Sequence, residues 1–204
     1  MKEFWNQRYG GDSFFYGTEP NAFLVSQAQR LKPGQRVLAV ADGEGRNSVW
    51  LARQGLDVTA VDFSPVAVEK ARRLAARQGV AVDHQVGDLF AWQWSENRYD
   101  AVVAIFIQFV APAERRILNG LMLKALKPGG LLLLQGYRPK QLEYKTGGPS
   151  SVENLYGEET LREEFADLEI LHLREHDDPI REGDGHSGLS ALVDMVARKK
   201  TIDR

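Results

Sequence analysis

The stretch "VLAVADGEGRNSVWLARQG" (residues 37–55) sets Gly43 and Gly45 one residue apart, between an apolar run and a helical pattern. Glycine lets backbone approach a ligand closely, and a helix beginning there turns free N–H groups toward negative charge. The spacing suits a nucleotide's phosphates, the amino-acid end of an adenosine cofactor, or a plain strand-to-helix turn. Asp62, in "VTAVDFSP", follows about twenty residues later, where a carboxylate accepts hydrogen bonds from both hydroxyls of an adenosine ribose. In "GDLF" (87–90), Asp88 is placed to accept from an adenine amino group and the Leu89 amide to donate to a ring nitrogen. His186, in "EGDGHSG" (182–188), is the candidate general base, because an unperturbed imidazole suits proton transfer near neutrality.

These residues need strand ends to hold them. Apolar runs alternate with helix-like segments, the pattern of a mostly parallel sheet covered on both faces. Strands are expected at 36–41, 57–62, 81–86, 99–106 and 130–136. "SPVAVEKARRLAARQG" reads as a helix, with Ser64 as N-cap, Pro65 at the first helical position and Gly79 at the stop. A second helix should run from Pro112 to Leu126 and end at "KPGG", and a third should cover 158–166. "LEILHLREH" (168–176) and "SGLSALVDMVARKK" (187–200) lack a helical crossover between them. They are therefore expected as an antiparallel pair at the sheet edge, joined by "DDPIREGDGH". The polar, turn-rich segment 138–151 reads as a functional loop.

The 204 residues, 43% hydrophobic, support one sizeable core, so a single domain is expected, with 1–35 as lid and helix and 36–204 as sheet core. A formal charge of -2 shows no basic excess for gripping nucleic acid through its phosphates, so small molecules are the expected partners. The longest apolar stretch, "AVVAIFIQFVA" (101–111), falls far below the roughly 18 residues of a spanning helix. A soluble, cytoplasmic protein is expected. With no cysteine, disulfides, thiolate zinc, cysteine-held iron–sulfur clusters and a cysteine nucleophile are all excluded. The four histidines, at 84, 172, 176 and 186, lack metal-binding spacing, and no metal is expected.

The glycines, Asp62 and Asp88 fit both a nicotinamide cofactor and S-adenosylmethionine. Ser48 stands where the dinucleotide fingerprint has its third glycine, some 35 residues precede the glycine strand, and the sheet ends in an antiparallel pair. These features disfavour a nicotinamide oxidoreductase. The chain resembles a class I S-adenosylmethionine-dependent methyltransferase, and more narrowly the small bacterial group related to the tellurite-resistance methyltransferases. The likeness rests on "YGTEPNAFL" (16–24), "GEGRNS" (43–48), "VTAVDFS" (58–64), "LKPGGLLLLQG" (126–136), "LEYKTGGP" (142–149) and "EGDGHSG" (182–188). It implies a Rossmann-like α/β fold with a seven-stranded sheet whose last strand is inserted antiparallel.

The resemblance further implies that Ala41, Gly43 and Gly45 border the methionine moiety, with Arg46 and Asn47 at the helix start. Asp62 and Phe63 would hold the ribose and one adenine face, Asp88 and Leu89 the adenine edge, and Phe106 would lie near the sulfonium. Ala39 and Ala41 depart from the acidic residue and glycine of many relatives, so the methionine amino group must find other acceptors. Trp5, Tyr9, Phe14, Phe15 and Tyr16 suit a lid, because aromatic faces tolerate a sulfonium. Tyr137, Arg138, Tyr144 and Thr146, with Gly147 and Gly148, would line the acceptor side, and Arg138 and Arg181 would favour an anionic or electron-rich acceptor. The expected reaction is methyl transfer to a small molecule, namely a thiol, chalcogen oxyanion, heterocycle or amine, leaving S-adenosylhomocysteine. The alternative is an S-adenosylmethionine-binding sensor without turnover, motivated by Ala39, Ala41 and the lack of an unmistakable catalytic group. Oligomeric state is not legible in the sequence.

Overall fold

The computed structural model describes residues 2–201. Along the chain the elements are α1 (Lys2–Arg8), α2 (Ala22–Ser26), β1 (Arg36–Val40), α3 (Arg46–Arg53), β2 (Asp57–Asp62), α4 (Pro65–Arg77) and β3 (Asp83–Val86). They continue with β4 (Tyr99–Ile105), α5 (Pro112–Ala125), β5 (Leu126–Tyr137), α6 (Gln141–Tyr144), α7 (Glu158–Glu164), β6 (Leu168–Glu182) and β7 (His186–Lys199). The strands form a seven-stranded sheet in the order β3-β2-β1-β4-β5-β7-β6. This is the expected architecture, mostly parallel with the antiparallel C-terminal insertion. Among the described residues no helix is long and apolar enough to cross a membrane.

The chain divides into two compact units, one running through Gln93 with Glu182–Gly185 added, the other comprising Trp94–Arg181 and the residues from His186 on. In the first, β1 and β2 run parallel with Val37 opposite Val58 and Val40 opposite Val61, and their side chains are buried. The Ser64 hydroxyl accepts from the Ala67 amide, which gives α4 the N-cap read from the sequence. Val49, Leu74 and Ala75 pack with Phe14, Val80 and Val82, so Phe14 belongs to the core. In the second unit, β5 is sandwiched: Leu133 faces Val103 on parallel β4 and Val196 on antiparallel β7. Each such leucine, fully shielded, contributes about 1.5–3 kcal/mol of apolar burial.

Three boundaries differ from expectation. Leu126 and the expected helix stop "KPGG" belong to β5, because Leu126 pairs opposite Tyr99 and begins the ladder early. The connection read between the last two strands is largely strand, since β6 runs on to Glu182 and leaves only residues 183–185 as the turn. Pro179 falls in β6, which is an edge strand, the place in a sheet where proline is tolerated because alternate N–H groups face away from the ladder. His186 consequently opens β7 and is buried, rather than lying in a loop.

Gly45 and Gly79 both have positive φ, +90° and +65°. A methyl group on Gly79 meets open space, whereas one on Gly45 would lie 2.7 Å from the Ala71 β-carbon and 2.9 Å from its α-carbon. Gly79→Ala should therefore cost about 1–2 kcal/mol from backbone strain alone. Gly45→Ala should cost about 1–3 kcal/mol more, because α3 and α4 must separate. Urea denaturation of both variants measures the difference, and equal losses would contradict the packing role of Gly45.

Candidate cofactor and acceptor sites

In the first unit the chain leaves β1 through a turn of unusual backbone. Ala41, Gly43 and Gly45 have φ of +49°, +62° and +90°. Asp62, at the end of β2 and 5% exposed, fixes this turn: Oδ2 accepts from the Gly43 amide and Oδ1 from the Ser64 amide, both at 2.9 Å. Burial raises the Asp62 pKa, and its bonds from the Ser64, Gly43 and Phe63 amides oppose that shift. These three amides occupy three of the roughly four lone-pair sites of the carboxylate, so the group retains room for a hydroxyl donor. Phe63 is half-buried, Leu89 is buried, and Asp88 is exposed with Oδ1 accepting from the Phe90 amide at 3.0 Å. Trp92, absent from the sequence reading, would lie 3.0 Å from a β-carbon on Gly87, and its indole donates to Gln85 at 2.8 Å.

Arg46 and Asn47 are engaged with the scaffold. The Arg46 guanidinium pairs with Glu182 at 2.8 Å, and Asn47 Oδ1 accepts from the Asn21 amide at 2.9 Å. Asn21 in turn donates to Glu182 and caps α2. The "PNAF" and "EGDG" motifs are thus joined through Asn21 and Glu182 to the start of α3. Of the aromatic N-terminal residues, Trp5 stacks on Tyr9 with centroids 5.5 Å apart, and Tyr16 meets Tyr9 edge-on at 6.4 Å. The Tyr9 hydroxyl lies 3.1 Å from where a β-carbon on Gly43 would stand, so this ring covers the glycine turn. Burial above all, with Asp62, Tyr16 and Glu44 nearby, keeps that hydroxyl protonated far above the usual phenol range.

Asp42 faces α3. Its carboxylate accepts from the Ser48 amide at 3.2 Å and from the Ser48 hydroxyl, which lies 3.3 Å from the His84 ring on β3. Burial pushes the Asp42 pKa up to about 7, aided by nearby Asp62 and opposed by Ser48 and Arg46. Burial, with Arg72 close by, pulls His84 down to about 4.

In the second unit, Phe106 follows β4 with φ +55°, an uncommon conformation for a bulky side chain, and its backbone N–H donates to the Gln135 carbonyl at 2.8 Å. Its ring stacks on Tyr137 at 4.6 Å and meets His186 edge-on at 4.6 Å, while Tyr137 and His186 lie 5.5 Å apart. Gln108 clamps the backbone of Tyr137, donating to its carbonyl at 2.8 Å and accepting from its amide at 2.5 Å. Gly148, at φ +85°, rests against the Tyr137 ring, where a β-carbon would come within 2.8 Å. Thr146 donates its hydroxyl to the Leu189 carbonyl at 2.6 Å and accepts from Gln141 at 3.0 Å. Arg138 and Tyr144 stand apart from the three rings in their bonding. Arg138 pairs with Glu175 and Asp177, and the Tyr144 hydroxyl donates to Asp177 at 2.8 Å.

Against known proteins, residues 37–130 match the profile of the family described as "Methyltransferase domain". The chain is 35% identical over 127 residues to the demethylmenaquinone methyltransferase of Renibacterium salmoninarum, a stretch covering 62% of this chain and 49% of that protein. It thus spans about half the length of this curated relative. It is 26% identical over 197 residues to the thiopurine S-methyltransferase of Nitrosospira multiformis, covering 83% and 87% of the two chains. The crystal structure of TehB from Haemophilus influenzae shares its fold, with a TM-score of 0.73 over 98% of this chain and 67% of that one at 20% identity.

The Asp42–Ser48–His84 network predicts a pH signature. A carboxyl that holds its proton more tightly folded than unfolded contributes stability that is complete below about pH 4 and lost as pH rises through about 7. His84 acts oppositely: kept neutral by burial, it supports the fold above about 6.5 and loses that contribution as pH falls toward 4. Asp42→Asn removes the first contribution and leaves the second. The stability of Asp42→Asn relative to wild type should therefore increase from pH 4.5 to pH 7.5 in urea denaturation, roughly the interval between the two carboxyl pKa values. Parallel curves would contradict the assignment.

Proposed function

We propose that this chain, whose residues 37–130 match a methyltransferase-domain profile, transfers a methyl group from S-adenosylmethionine to a small-molecule acceptor. The observation that carries the reading is the Asp62 carboxylate, buried at a strand end, bonded to the glycine-turn amide and still able to accept from a hydroxyl. Asp62 would hold the ribose, Phe63 one adenine face, and Asp88 with the Leu89 amide the adenine edge. Ala41, Gly43 and Gly45 would border the methionine moiety, whose amino group finds backbone carbonyls in place of an acid at Ala39. Trp5 and Tyr16 would close over the cofactor. Arg46 and Asn47 contribute indirectly, by fixing the start of α3. When bound, S-adenosylmethionine supplies an electrophilic methyl group whose carrier loses its positive charge on transfer.

The work left to the protein is alignment, exclusion of water and, for a protonated acceptor, a base. Phe106, Tyr137 and His186 offer an acceptor ring faces and one titratable nitrogen. The polar groups of Arg138, Tyr144 and Thr146 are already bonded within the protein. That pattern favours a neutral thiol or heterocycle over an oxyanion or a charged amine, in keeping with the likeness to a thiopurine S-methyltransferase. The expectation that Arg138 recruits an anionic acceptor loses support for the same reason. His186, among the rings, is the proposed base.

Two measurements test this reading. Asp62→Ala should weaken S-adenosylmethionine binding in calorimetry by about 1–3 kcal/mol, roughly fivefold to 150-fold, since the ribose loses its carboxylate partner. Unchanged affinity would remove Asp62 from the site. A screen of aryl thiols, thiopurines, alkyl thiols, amines, selenite and tellurite for S-adenosylhomocysteine release should give turnover first with the neutral sulfur heterocycles. Turnover confined to the oxyanions would overturn the acceptor assignment, and binding without any release would favour the non-catalytic sensor.

A further inference from the structure

Lys70 stands where α4 should be apolar. With Ala67, Ala71 and Leu74 it lies on the buried side of the helix, and it is 2% exposed. Its ammonium is given over to the N-terminal segment and one carboxylate: Nζ donates to the carbonyls of Tyr9, Gly11 and Ser13 at 3.1, 2.9 and 2.6 Å and pairs with Glu44 Oε1 at 2.5 Å. Glu44, the residue between the two glycines of the turn, accepts on Oε2 from the Phe15 amide at 2.7 Å and the Tyr16 amide at 3.4 Å. A single buried ion pair therefore holds five backbone groups between residues 9 and 16.

The turn after β6 closes on the same segment. The Asp184 amide donates to the Phe15 carbonyl at 2.8 Å. A β-carbon on Gly183 would come within 2.3 Å of that carbonyl, and one on Gly185 within 2.2 Å of the Tyr16 ring. Glycine at both positions permits this approach. The Tyr9 hydroxyl is thereby set over Gly43, and the Trp5 ring is stacked behind it.

We propose that Glu44 and Lys70 are positioning residues whose buried ion pair seats residues 9–16 over the glycine turn and sets the rate at which cofactor leaves. The effect on release rests on the cofactor reading above; the seating of the segment does not. A buried pair suits this task because removing either partner leaves an uncompensated charge that must find water, and the cheapest route to water is release of the segment. A segment covering a bound cofactor has to open before that cofactor departs.

The test uses Lys70→Met, which keeps most of the stem, Glu44→Gln, which keeps the shape, and Lys70→Arg, which restores the charge. Chymotrypsin cuts after Phe14, Phe15 and Tyr16 and reports seating with no ligand present. Stopped-flow Trp fluorescence follows dissociation of S-adenosylhomocysteine. Both charge-deleting variants should be cut at these sites about tenfold faster than wild type and release the product about tenfold faster, with Lys70→Arg recovering most of both. Wild-type rates of cutting and release in both variants overturn the proposal. Faster cutting spread evenly along the chain overturns it as well, because that pattern marks global unfolding. Should Lys70→Met fail to fold, Glu44→Gln carries the test alone. A wild-type protein that binds no S-adenosylhomocysteine defeats the cofactor reading, while the protease result still decides the latch.

Discussion

Three carboxylates turn inward around one glycine turn, and the first unit is organised by the need to compensate them. A buried charge without partners costs several kcal/mol, so each acid dictates what surrounds it. Asp62 takes the Gly43 and Ser64 amides and so ties the turn to the end of β2. Glu44 takes Lys70 and two amides of the N-terminal segment. Asp42 takes Ser48 and, through it, reaches His84. The positive φ at Ala41, Gly43 and Gly45 is the backbone shape that sends Asp42 and Glu44 out of one short turn in different directions and presents the Gly43 amide to Asp62.

The second unit solves a different problem. Its strands carry a dense apolar ladder, and the residues beyond the ladder are fixed through backbone rather than through charge. Gln108 clamps Tyr137, Gln141 binds Thr146 and the Ala191 amide, and Gly148 lies against a ring. The outcome is a rigid trio of Phe106, Tyr137 and His186, with charged groups drawn aside onto Asp177. In the acceptor role proposed above, rings held this way would select by shape and by ring-face contact, which salt affects less than it affects an ionic contact.

Much of the fold was legible because strand ends and helix caps leave local signatures. Ser64, Pro65 and Gly79 bounded α4 correctly, and the antiparallel end of the sheet followed from a connection too short for a crossover. Asp62 and the glycine turn were legible as a spacing. The roles of Arg46, Asn47 and Arg138 were not, since their partners Glu182, Asn21 and Asp177 lie far away in sequence or in segments that read as loop. Lys70 left a readable trace, a lysine on the inward face of an amphipathic helix. Its partner in the glycine motif was hidden because the residue between two glycines reads as a free position. Element boundaries failed where pairing overrode local signals, as in "LKPGG", whose proline and glycines suggest a stop but whose leucine already pairs with Tyr99.

The central claim is that the turn between β1 and α3, with the ends of β2 and β3, holds an adenosine sulfonium cofactor. The most direct measurement is an NMR titration of isotope-labelled protein with S-adenosylhomocysteine, following backbone amides. The amides of Gly43, Phe63, Asp88 and Leu89 should shift together and saturably, and an equal concentration of NAD should leave them unmoved. Shifts confined to other regions, or the same amides answering to NAD instead, would contradict it.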